Sequence, residues 1–188
     1  MLSHARGQGL LETVVAIGII TTGLFSVITL VISNLTTQRE AAFRYQAMNF
    51  AREGVELARN IRDSNWLTGQ DDVWAGLPAG QLIPQFAIGE AEIRFEPAQT
   101  GSRIIYQCED GSYAQGRASC TAPTPFSRTV TLDILPCGEE ETVPCEGLEG
   151  LPSERRARIA MRVTVEVAWI DQERPRSVEL SQLLYDWR

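Results

Sequence analysis

Lysine is absent from the 188-residue chain, so all 17 basic residues are arginine. That excludes Schiff-base chemistry, a lysine general base and crosslinks through lysine side chains. Histidine occurs once, at His4, which leaves little imidazole for acid–base work or metal ligation. No cysteine precedes Cys108, so a lipid-modified cysteine near the N-terminus is excluded. The longest absence is of charge: from Thr13 to Leu35 no side chain ionises, and the next charge is Arg39.

What fills that gap is TVVAIGIITTGLFSVITLVISNL, 23 residues. As a helix it spans about 35 Å, enough for a hydrocarbon core of about 30 Å. A buried helix of a soluble core is the alternative, but such helices rarely stay uncharged all round for so long. A cleaved secretory signal fits poorly, because the run is too long and no small-x-small site follows it. The segment reads as an anchor that stays.

Glu12 stands one residue before this run. An unpaired carboxylate in lipid costs about 2.5 kcal/mol or more, so it should have a partner or a task. Taken alone it could be an interfacial glutamate reaching the headgroups. Its flanks change that. The leader MLSHARG ends in Arg6-Gly7, and Gln8-Gly9-Leu10-Leu11-Glu12 lead straight into the apolar run.

This arrangement resembles the N-terminal signal of type IV pilins and type II secretion pseudopilins. The resemblance implies that a prepilin peptidase cuts between Gly7 and Gln8 at the cytoplasmic face, and that Gln8 is then N-methylated. Glu12 becomes the fifth mature residue, which in the family attracts the free amine of a neighbouring subunit and sets register. Gln8 stands where the family most often has phenylalanine, with Gly9 beside it. A bond that the peptidase must reach lies just outside the membrane helix, and Arg6 on that side agrees with the positive-inside tendency.

Processing would discard His4 and Arg6. The mature chain would hold no imidazole, and its net charge would be one unit more negative than the −7 of the whole sequence. No catalytic residues, metal or cofactor are expected, so the chain does not read as an enzyme. Glu90 and Glu92, at alternate strand positions, could do acid–base work but are more often a polar face. The acidic surface argues against direct nucleic-acid binding.

Beyond the run the helical pattern continues, with Phe43, Ala47, Phe50, Gly54, Leu57 and Ile61 on one stripe and Met48, Ala51, Val55 and Ala58 widening it. Glu40 with Arg44, Arg52 with Glu56 and Arg59 with Asp63 stand four apart on the opposite face. The helix is expected to end near Asp63, where Asp-Ser-Asn supplies turn chemistry. The glycine- and proline-containing stretch from Leu67 to Pro84, with Asp71-Asp72, reads as a surface loop. Strands are expected around Ala91 to Phe95, Arg103 to Cys108, Val130 to Ile134, Ala157 to Ile170, and from Val178 onward.

The four cysteines, Cys108, Cys120, Cys137 and Cys145, lie in the part that such an anchor would export, and read as disulfides. A tetrathiolate zinc site is the rival, without the usual close cysteine pairs. Of three connectivities, Cys108 with Cys120 and Cys137 with Cys145 close the shortest turn-rich loops. Between Pro136 and Arg156 glutamates gather in an acidic insertion; some relatives bind calcium in such loops, but no calcium-loop spacing is present.

The expected fold is α+β: a long N-terminal helix, half transmembrane and half amphipathic, packed on an antiparallel sheet of about four or five strands. Residues 1–7 form the leader, 8–35 the transmembrane and assembly half, 36–65 the amphipathic half, and 66–188 an exported domain. The resemblance implies a structural subunit of a pilus or pseudopilus. Retention of Glu12, and the lack of proline before Pro78, point to a low-abundance subunit that is not a tip subunit lacking the glutamate. Its expected partners are the peptidase, other pilin or pseudopilin subunits, an inner-membrane assembly platform, and lipid before assembly. It would lie in the inner membrane, then in a surface pilus or periplasmic pseudopilus. The alternative is a single-pass binding module with an exported, disulfide-bonded domain.

Overall fold

The computed structural model describes residues 5–86, 93–98, 102–115, 120–138, 143, 145, 150, 153–156 and 158–186. Helix α1 spans Ala5–Leu67. It runs past Asp63-Ser64-Asn65, because its stop signal is Gly69, at φ 73°. The Gly69 N–H donates to the Trp66 carbonyl (3.3 Å) and the Gln70 N–H to the Asn65 carbonyl (3.0 Å). Those two bonds are a Schellman cap, which needs a left-handed residue that glycine supplies without strain. The Asn65 amide instead donates to the Val73 and Ala75 carbonyls and fixes the turn that follows.

The chain forms two compact parts, residues 1–43 and 44–188. In the second, the helix packs on an antiparallel sheet of seven strands: β1 (Gly80–Phe86), β2 (Ile93–Pro97), β3 (Ile104–Cys108), β4 (Tyr113–Ala114), β5 (Cys120–Leu135), β6 (Ala160–Asp171) and β7 (Arg174–Tyr185). A single turn, α2 (Ser153–Arg156), precedes β6. The α+β class is the expected one, and the sheet is larger than expected. β4 is a two-residue addition, and β1 begins within the stretch from Leu67 to Pro84 that reads as a loop. Pro84 disguises β1, but β5 pairs with this strand only from Gly80 to Leu82. Proline is tolerated where a strand has become an edge.

β5 is the hub. Its first half pairs with β3, its second half with β1, and residues Phe126–Leu135 pair with β6 on the other side. On the face toward α1, Phe126, Val130 and Leu132 stand opposite Trp169, Val165 and Val163, all buried. The alternation expected for β6 holds along the whole strand: Met161, Val163, Val165, Val167 and Trp169 are buried, while Arg162, Thr164 and Glu166 lie on the other face.

The helix meets this face through small side chains. Ala47, Ala51, Val55 and Ala58 are buried, whereas Leu57 and Ile61 sit half-buried at the margin. A Cβ on Gly54 would stand 3.0 and 3.1 Å from the two methyls of Val165. A side chain there would push Val165 aside, so glycine suits the close approach of helix to sheet. Phe50 anchors the line, edge-on to Phe126 and Tyr113 at 5.5 and 5.2 Å. On the outer face Arg59 pairs with Glu56 at 2.6 Å, and Asp63 is held by Arg62.

Among the described residues, Arg128 is the most deeply buried charge. It is 1% exposed. Its Nε donates to Gln115 Oε1 (2.8 Å), and its Nη1 donates to the Phe50 carbonyl (3.1 Å) and stands 3.3 Å from Glu53. Gln115 is equally buried and passes its amide hydrogens to the carbonyls of Arg103 and Arg128. Burial pulls the Arg128 pKa down, and Glu53, by charge and hydrogen bond, resists. The network ties α1, β5 and the approach to β3 into one hydrogen-bonded unit.

Candidate functional site

The N-terminal part carries a long exposed apolar surface. Large apolar side chains from Leu10 to Leu35 are between 48% (Val31) and 72% (Phe25) exposed. An 18-residue window reaches a mean hydropathy of 2.4. One helix is thus long and apolar enough to cross a membrane.

Its polar atoms are handled as a non-aqueous setting demands. Hydroxyls that faced hydrocarbon unpaired would each cost several kcal/mol, of the order of 4. Here Thr13 donates to the Leu10 carbonyl (2.9 Å), Thr21 to Ile17 (2.9 Å), Thr22 to Gly18 (2.8 Å), Ser26 to Thr22 (3.0 Å) and Thr29 to Phe25 (2.8 Å). The run contains two glycines, Gly18 and Gly23, and a Cβ at either would meet nothing within 4 Å. Each costs a helix in water about 1 kcal/mol relative to alanine. With Thr22 and Ser26 they form a shallow concave strip on one side. Strips of small residues let membrane helices approach closely.

Glu12 lies exposed on α1 at the N-terminal border of this surface. It is the only ionisable residue between Arg6 and Arg39. Gly7 and Gln8 fall within α1, but their side chains, like residues 1–4, lie outside the described set. At the other border the Arg39 guanidinium sits 5.3 Å from the centroid of the Phe43 ring, a cation–π contact.

Cys108 is bonded to Cys120, joining the end of β3 to the start of β5, and Cys137 to Cys145. These are the short-loop pairs. Val143, inside the second loop, is buried against Leu135, Ile159 and Ala160. Glu90, Glu92 and the run Glu139 to Glu141 lie outside the described residues. Among the described residues no three His, Cys, Asp or Glu side chains come together in a metal-binding group.

Comparison with protein-family models, curated proteins and solved structures finds no match. The chain combines one long apolar N-terminal helix with an antiparallel sheet, an architecture compatible with a pilin-like arrangement. The buried network of Arg128 and Gln115 was missed from sequence. A signal was present: in FSRTVTLDIL, Arg128 occupies the same alternating face as Phe126, Val130 and Leu132. A charge in that register is either a register error or a buried arginine.

Proposed function

We propose that this chain is a structural subunit of a type IV pilus or type II secretion pseudopilus, cut between Gly7 and Gln8 and assembled through α1. The observation that carries the reading is the position of Glu12, a lone exposed carboxylate at the border of an otherwise uncovered apolar helix. In lipid the apolar surface is already out of water, so transfer from water contributes little to helix association. Packing and the pairing of polar groups supply the drive instead. Removal of residues 1–7 creates an ammonium at Gln8, one helical turn from Glu12. Pairing of Glu12 with that ammonium on a neighbouring subunit relieves the cost of an isolated charge. The strip at Gly18 and Gly23 supports close approach of such neighbours. No catalytic chemistry by this chain is required.

The reading is tested by intact-mass and N-terminal analysis of the protein from its native membrane. A mature chain that begins at Gln8, methylated on its amine, is expected. A chain that keeps Met1 to Gly7 in a cell with an active prepilin peptidase overturns it. Glu12→Ala should insert into the membrane normally and drop at least about tenfold in sheared filaments or pseudopili, as expected for loss of a pairing worth 1.4 kcal/mol or more. Equal recovery of mutant and wild type counts against the role given to Glu12.

A further inference from the structure

We infer that the open edge of β7 takes up an extended segment of a partner protein, with a basic side chain of that segment placed against Glu179. The edge lies wholly within residues 44–188, so this stands or falls independently of processing at Gly7.

β7 is 12 residues long and, among the described residues, pairs only with β6. Its register runs unbroken from Arg174 to Tyr185, with no bulge to turn the strand away. The hydrogen-bond phase is fixed at one end, where the Asp186 N–H donates to the Ile159 carbonyl (2.9 Å). Alternate residues of an antiparallel strand bond to the same neighbour. Leu184, Gln182, Leu180, Val178 and Arg176 therefore bond to β6, and the residues between them turn N–H and C=O outward. Both ends of that outward row are closed. Pro175 has no N–H to offer, and the Tyr185 carbonyl accepts from Arg62 Nη1 (3.3 Å). Ser177, Glu179, Ser181 and Leu183 are left with open backbone groups, and the first three are exposed. Such a row is a template for one more strand.

The side chains select which strand. Glu179 stands directly opposite Glu166 on the outer face of the sheet, and both are exposed. Neither carboxylate has an ion pair or hydrogen bond among the described residues. Like charges directly opposite are destabilising. A basic residue beside Glu179 extends the row that starts at Glu166 and offsets that repulsion. On the inner face Val178 and Leu180 stand opposite the buried Val167 and Val165, and Leu180 is only half-buried. Aliphatic residues on either side of the basic one complete its cover, because successive side chains alternate faces. A second copy does not meet these requirements. Paired residues share a face, so the β7 edge of a copy can bring only Ser177, Glu179, Ser181 or Leu183 against Glu179, never Arg174 or Arg176. The carboxylates that attract a basic strand thus disfavour self-pairing.

Full-length protein in detergent micelles is titrated calorimetrically with an acetylated, amidated nine-residue peptide: arginine at the centre, valine on each side of it and threonine elsewhere. Saturable binding is expected, weakening as ionic strength rises from about 0.05 to about 0.5 M. Glu179→Gln should weaken it about 2- to 5-fold, and Glu166→Gln less. Both variants remove the like-charge repulsion and should melt no lower than wild type, which separates lost binding from lost folding. Methylation of the backbone nitrogens of the arginine and of the threonines two residues from it should abolish binding, whereas methylation of the two valine nitrogens should leave it within about 2-fold. No saturable binding by wild type, equal binding of a peptide with glutamate at its centre, or equal effects of the two methylation patterns would each overturn the proposal. A fall in the mass of the protein by light scattering as the peptide binds would put a second copy on the edge and overturn it too.

Discussion

At the scale of single residues, Arg128 is the most exacting position in the domain. Its guanidinium is removed from water, and three acceptors, two on α1 and one on Gln115, compensate. Arg128→Ala should cost about 3–5 kcal/mol, since it empties a buried site and leaves the buried Gln115 oxygen without its donor. Glu53→Ala should cost much less, because that carboxylate is 37% exposed and its attraction is screened by solvent. Denaturant melts of the two variants check the order, and equal losses would contradict it. The pH dependence follows from the lowered Arg128 pKa. The folded chain binds this proton less tightly than the unfolded chain, so the penalty is constant through the neutral range. It is relieved only as pH rises through the folded pKa in strong alkali.

The element scale shows what was legible in the sequence and what was not. Periodicity located α1 and β6 because each buries one regular face, of period 3.6 and period 2. It placed the centre of the helix contact too close to the large side chains: Leu57 and Ile61 are marginal, and the contact line runs through Ala47, Ala51, Gly54 and Ala58. Interhelix or helix–sheet distance is a tertiary property that hydrophobic pattern does not encode. β1 was hidden by Pro84, whose cost depends on which neighbour the strand has at that point. The N-terminal apolar helix was legible because its pattern is chemical: a run of 23 residues, Thr13 to Leu35, without a charge.

The β6–β7 turn is an element whose sequence and shape disagree. Gln172 and Glu173 both adopt positive φ, 48° and 65°, where a two-residue hairpin favours Asn-Gly. Left-handed conformations cost such residues about 1 kcal/mol each. The double variant Gln172→Asn, Glu173→Gly should therefore stabilise the domain by about 1–2 kcal/mol. Thermal unfolding measures this, and a lower midpoint would refute the assignment of strain.

For the molecule as a whole, the two parts use apolar surface in opposite ways. In residues 44–188 it is closed inside: Val163, Val165, Val167 and Val130 have no exposed surface. In residues 9–35 it faces outward throughout. A chain starting at Thr36 keeps every hydrogen bond of the Arg128 network and both disulfides. It should be soluble without detergent and melt within about 2–4 °C of the full chain, the shift that 1 kcal/mol produces in a domain of this size. Light scattering and calorimetry would show this, and loss of cooperative melting would contradict it.

The long-range contacts of α1 also have a consequence in time. Arg128 closes onto the Phe50 carbonyl across 78 residues, and Arg62 reaches the Tyr185 carbonyl across 123. As the chain is delivered N-terminus first, the Gly54 region of the helix waits uncovered until β5 and β6, with Arg128 and Val165, have emerged. For that interval its inner face has only solvent, lipid or a chaperone to meet, and the last strand delivered brings the Tyr185 carbonyl to Arg62.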